Sequence, residues 1–265
     1  MKSKLFAPQT LRKALLIFFV IALVAVELGY RAMDNDGYTA EMIYLSSTRF
    51  IGGAVCIIFM LEFSYTAVMR PLGNRSAMAL IFMLPAFAVA INNFPIVSFI
   101  SGDCSIDAKP GDVLLFALFC LSVGFFEEIA FRGCVLMYLL KKRGSTKKGI
   151  FMSIFWSSVV FGLIHLVNLI TDSPIAVILQ IGYSALIGAL CSLVLLATGN
   201  IWLCVLLHAT YNFVGNVIPK LGEGTMWTAG QVICTAVVSV AVAAYCVWWF
   251  FCKMPAECAA ELCEQ

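Results

Sequence analysis

The chain has 265 residues, of which 62% are hydrophobic and only 12% charged, and its mean hydropathy is +0.97. A soluble domain sits nearer about 45–50% apolar with about a quarter of its residues charged, so a water-soluble enzyme is excluded and an integral membrane protein is indicated. The formal charge of +2 is small, and the Lys and Arg residues are dispersed across the loops, so nucleic acid is not a partner.

Apolar runs of roughly 18 to 25 residues, long enough to cross about 30 Å of hydrocarbon, occur at 14–30, 50–69, 77–100, 113–140, 149–170, 175–197, 200–218 and 227–252. They predict an all-α polytopic bundle of about eight spans, with 1–265 forming a single membrane domain. The first run follows Lys2, Lys4, Arg12 and Lys13, but no small-residue cleavage site precedes Arg31, so it reads as a mature span. The third is interrupted by Pro85, Asn92, Asn93 and Pro95 and is expected to be kinked or partly re-entrant. Eight of the eleven cysteines fall inside apolar runs, where they behave as small hydrophobes, and no CxxC pair occurs.

Orientation follows from the basic residues between spans. With the N-terminus inside, one side holds Lys2, Lys4, Arg12, Lys13, Arg70, Arg75, Lys141, Lys142, Arg143, Lys147, Lys148 and Lys253, while the other holds Arg31, Arg49, Lys109 and Lys220. Both termini are therefore expected to be cytoplasmic, in a multi-pass protein of the cell membrane.

Polar residues inside the spans carry the chemistry, because a charge at bilayer depth costs several kcal/mol unless it pairs or faces a wet cavity. In the fourth span Glu128 and Arg132 are i,i+4 neighbours able to neutralise each other. Glu127 lies about 100° around the helix and lacks that partner, which suits a general acid or base. The chain has only two histidines, His165 and His208, and both fall within spans; His208 and Asn212 share one helical face. Counted from the cytoplasmic ends, Glu127 lies about 20 Å deep, His165 about 24 Å and His208 about 14 Å, so one cavity could gather all three. Each feature also has a plainer reading. Glu128 and Arg132 make a neutralised structural pair, Phe161 is packing, and an isolated intramembrane His is more often an interhelical hydrogen-bonding residue.

Taken in order on successive spans, Glu127-Glu128-x-x-x-Arg132, Phe161-x-x-x-His165 and His208-x-x-x-Asn212 closely resemble the CAAX-protease and bacteriocin-processing family of intramembrane proteases, also called CPBP or Abi. The resemblance covers about residues 113–218, read as the catalytic core. It implies an all-helical endopeptidase in which Glu127 and His165 activate a water, while His208 and Asn212 hold the substrate carbonyl and its oxyanion. Glu128 and Arg132 would then be structural or positioning residues. The eukaryotic branch of the family removes the last three residues of prenylated proteins, so the implied partners are the lipid bilayer and a membrane-associated peptide or protein, prenylated or leader-bearing.

Without the resemblance, the same residues supply what amide hydrolysis needs: a nucleophile, its proton acceptor, and donors where the oxyanion develops. No serine fits a GxSxG elbow. Zinc held by Glu127, His165 and His208 stays open as an alternative, but HExxH is absent, and a metal-free water activated by Glu and His is the favoured reading. The competing class is a proton-coupled transporter or channel using the buried Glu and His as a relay, and a catalytically silent scaffold is the third.

Overall fold

The computed structural model describes residues 37–70, 76–255 and 257–263 and scattered positions between Leu11 and Gly29; the side chains of 76–82 lie outside the description. The helices are α1 (Tyr38–Glu62), α2 (Ser76–Asn92), the short α3 (Ile96–Ile100), α4 (Pro110–Arg143), α5 (Lys147–Ile170), α6 (Pro174–Thr198), α7 (Ile201–Leu221), α8 (Ala229–Lys253) and the short α9 (Cys258–Cys263). Among the described residues, 6 helices are long and apolar enough to cross a membrane: α1, α4, α5, α6, α7 and α8. The chain is an all-α, multi-pass membrane bundle. Of the two further spans expected, the run at 14–30 lies largely outside the described residues, and the run at 77–100 is divided.

Local chemistry fixes the helix ends. Ser173 caps α6 by accepting from the Ala176 N–H, with Pro174 at the first helical position. Gly199 ends α6 in the left-handed conformation (φ 67°), which a glycine adopts without steric cost. Asn200 then caps α7, its Oδ1 accepting from the Leu203 N–H at 3.1 Å while its Nδ2 donates to the Arg70 carbonyl at 2.8 Å. This one turn therefore sets two helices and anchors the segment that follows α1 at Arg70.

Two boundaries depart from expectation. The second span begins at Tyr38, not residue 50, and closes at Glu62, not 69. The polar run Ser46–Arg49 reads as a flank, yet three of its side chains bond to their own helix. Ser47 Oγ donates to the Ile43 carbonyl (2.8 Å), while Thr48 Oγ1 and Arg49 Nη1 donate to that of Leu45 (3.0 and 3.2 Å). Beyond Glu62 the chain turns through Ser64 (φ 57°) into a 3₁₀ turn, Thr66–Met69. The third span stays helical through Pro85, breaks after Asn92 and resumes at Ile96. Its exposed backbone is met by buried Gln231 of α8, which accepts from the Val97 N–H at 3.0 Å and donates to the Phe94 carbonyl at 3.2 Å. A two-stranded antiparallel ribbon, Cys104–Ile106 against Gly222–Gly224, was not expected; it joins the loop before α4 to the end of α7.

The core is built from α4 packed on α7 and α1, with α5 on α6, while α8 leans on α2 and α3. Small residues let the backbones approach. A Cβ at Gly124 would stand 2.8 Å from the Val205 carbonyl oxygen and 3.0 Å from the Ala209 nitrogen, both main-chain atoms of α7. Gly124→Ala is therefore expected to lower stability by about 1–3 kcal/mol, read as a fall in melting temperature in detergent. Gly111→Ala, with nothing within 4 Å, should leave it unchanged or raise it, and equal effects at the two sites would contradict the close approach of α4 and α7.

Candidate active site

Helix α4 changes its winding where the acids lie. It is α-helical to Glu128 and π-helical from Ile129 to Leu136, a wider turn often found at functional sites. Glu128 and Arg132 remain neighbours across the change, with Arg132 Nη1 3.1 Å from Glu128 Oε1 and both residues fully buried. The same Oε1 accepts a hydrogen bond from His208 Nδ1 at 2.7 Å. A carboxylate can only accept, so this contact puts a proton on Nδ1 and turns Nε2 toward Glu127, whose Oε2 is 3.6 Å away. The result is a continuous chain, Arg132, Glu128, His208, Glu127, running from the packed interior to a partly exposed carboxylate.

Phe161 ties this chain to His165. Its ring lies under the Arg132 guanidinium, with Cζ 4.5 Å from the centroid, and meets the rings of His165 and His208 edge to face at 5.5 and 5.8 Å. Reading Phe161 as packing alone misses this position between both histidines. Gly188 of α6 makes room for the arrangement: a Cβ there would stand 2.8 Å from Arg132 Nη2 and 3.1 Å from the Phe161 ring.

His165 sits in the 3₁₀ continuation of α5, Ile164–Ile170, with its Nδ1 3.1 Å from the Phe161 carbonyl oxygen. That turn is fastened to α6 by Asn168 Nδ2 donating to Gln180 Oε1 at 2.8 Å. Asn212 stands one turn beyond His208 on α7. Glu127, His165, His208 and Asn212 all line one cavity of about 1250 Å³, whereas Glu128 and Arg132 lie behind its wall. The cavity is mostly apolar, and its polar wall also carries Asn93, read from the sequence only as a helix interruption, and Asn168, Gln180 and Tyr211, none of which stands out in the sequence because each is an isolated polar residue in or beside a span.

The fit to a metal is poor. Among the described residues no group of three or more His, Cys, Asp or Glu side chains could hold one, Glu127, His165 and His208, the alternative left open by the sequence, included.

Residues 109–214 match the family model described as type II CAAX prenyl endopeptidase, Rce1-like. No curated protein and no solved structure matches. The matched stretch carries all six sequence-predicted site residues.

Glu128→Gln is expected to destabilise the protein by about 3–5 kcal/mol, since it leaves the buried Arg132 charge without its counter-ion. A double-mutant cycle with Arg132→Met, read by thermal unfolding in detergent, should show a combined loss well below the sum of the singles. Additive losses would mean that the pair does not act as a unit, and a stable but inactive Glu128→Gln would exchange its role with that of Glu127.

Proposed function

We propose that this chain, whose 109–214 segment is Rce1-like, is a glutamate-dependent intramembrane endopeptidase that hydrolyses a peptide bond in a membrane-associated substrate. The observation that carries this reading is Glu127: a partly exposed carboxylate at the cavity wall, 3.6 Å from His208 Nε2 and backed by a buried, neutralised Glu128–Arg132 pair.

Glu127 takes a proton from a water that His165 orients, and the hydroxide attacks the scissile carbonyl carbon. The oxyanion accepts from Asn212 Nδ2–H and His208 Nε2–H. With both ring nitrogens protonated, His208 also donates to Glu128, and Glu127, Glu128, Arg132 and His208 then sum to zero charge, as an apolar surrounding favours. Collapse of the tetrahedral species releases the amine, which receives the proton held by Glu127. Glu128 and Arg132 do not reach the cavity and act as positioning residues. The compactness of the four-residue chain, closed behind by Arg132 and Phe161, favours hydrolysis over a relay, which needs a path to both faces.

The substrate is a lipidated or amphipathic segment held at the inner leaflet, with both termini of the enzyme cytoplasmic by the distribution of basic residues. An anchor contributes about 0.8 kcal/mol per buried methylene.

The test is peptide hydrolysis in proteoliposomes. Glu127→Gln should abolish turnover while inserting and purifying normally, and turnover at the wild-type rate would sink the assignment. His165→Ala should cost more than Asn212→Ala, whose loss of one of two oxyanion donors is expected at about 10²- to 10³-fold in kcat. An effect of Asn212→Ala on KM alone would remove its oxyanion role.

A further inference from the structure

His165 is followed three residues later by Asn168, and both lie in the 3₁₀ continuation of α5. In that winding side chains at i and i+3 eclipse, so the two share one face, and both line the cavity. An α-helix would set them about 60° apart. Asn168 is thus the neighbour of His165 about 6 Å farther from the basic turn before α5.

Asn168 is held through both its main chain and its side chain. Its carbonyl accepts from the Thr171 and Asp172 N–H groups at 3.0 and 2.8 Å, and its Nδ2 donates to Gln180 Oε1 of α6 at 2.8 Å. An interhelical hydrogen bond is the plain use of two amides in a membrane protein, yet that bond takes one donor from Asn168 and one lone pair from Gln180. Asn168 Oδ1 and the Gln180 Nε2 hydrogens remain, and Gln180 lines the cavity too. The bonded pair therefore presents an acceptor and a donor together on a mostly apolar wall. One residue of an extended peptide, whose N–H and C=O share an edge, is the complement of that pattern.

We propose that the Asn168–Gln180 pair is a substrate-binding clamp for peptide main chain. Oδ1 accepts from the N–H, and Nε2 donates to the carbonyl, of the second residue beyond the scissile bond, on the side away from the lipid anchor. This inference rests on the endopeptidase reading and adds the groups that hold the peptide in register. A separation of about 6 Å from His165 corresponds to two residues of extended chain, and a substrate anchored at the inner leaflet reaches Asn168 only after passing His165. Because the clamp reads main chain, it accepts varied side chains at that position but not proline, which has no N–H.

Three peptides of one sequence, each with a thioether-linked isoprenyl chain on the residue before the scissile bond, decide the matter in proteoliposomes. The first keeps every amide. In the second an ester replaces the amide whose nitrogen belongs to the second residue beyond the scissile bond, and in the third the ester lies one residue farther on. The ester removes an N–H and keeps the shape. Wild type is expected to cleave the second with a kcat/KM about three- to tenfold below the first, as for one lost hydrogen bond. The third should be cleaved like the first, because its missing N–H faces the opposite edge. Asn168→Leu should slow cleavage of the first peptide and make the first and second equal. Gln180→Met, which frees the Asn168 side chain, should lower the ratio as well, and it decides alone if Asn168→Leu does not fold. A folded variant that slows both peptides alike and keeps the wild-type ratio reduces the pair to a structural brace and overturns the clamp. Equal cleavage of the first and second peptides by wild type, or equal losses from both esters, overturns it without any variant. No cleavage of any peptide overturns the hydrolase reading instead; the clamp is then read from fluorescence anisotropy of the labelled peptides, where weaker binding of the second alone upholds it and equal binding of all three overturns it.

Discussion

One oxygen atom holds the centre of this molecule together. Glu128 Oε1 receives both the Arg132 guanidinium and the His208 imidazole, and it does so where no solvent reaches the carboxylate. In such surroundings a charge without a partner is far costlier than a missing contact, so the position of α7 relative to α4 is fixed by chemistry as much as by shape. The glycine at 124, the cation–π contact at Phe161 and the space left by Gly188 all serve that approach. Glu127, the carboxylate proposed to react, is its neighbour in sequence, and its location follows from the same constraint.

How much of this was legible in the sequence depended on whether the signal was local. Long apolar runs and charges inside them can be read directly, because the hydrocarbon admits few alternatives. The i,i+4 spacing of Glu128 and Arg132 and that of His208 and Asn212 are helix arithmetic, and the protein keeps both. The start of α1 was not legible, because Ser47, Thr48 and Arg49 look like an aqueous flank until their bonds to the preceding turn are known. Nor was the ribbon, since three residues on each side give no alternating pattern.

The candidate site divides in the same way. The residue types and their order were visible, whereas the contacts among them depend on pairings between distant segments. Nothing in the sequence places a phenylalanine ring between two histidines, or shows that a glycine of α6 borders a guanidinium of α4. Nothing local puts His165 in a 3₁₀ turn held through Asn168 and Gln180, because the apolar pattern runs on past residue 163 unchanged. The break at 93–95 was signalled by Asn and Pro, but its satisfaction by Gln231 was not, the two being more than 130 positions apart.

Helix α4 has 34 residues, about 51 Å at full helical rise, against about 30 Å of hydrocarbon. A rod that long must lean steeply, push its ends into the headgroups, or deform the lipid around it. Glu127 is close to its midpoint, so a change of lean swings both ends while barely moving the carboxylate. Hydrophobic mismatch would thus be absorbed at the termini of the helix, and the reacting groups would keep their depth in membranes of different thickness.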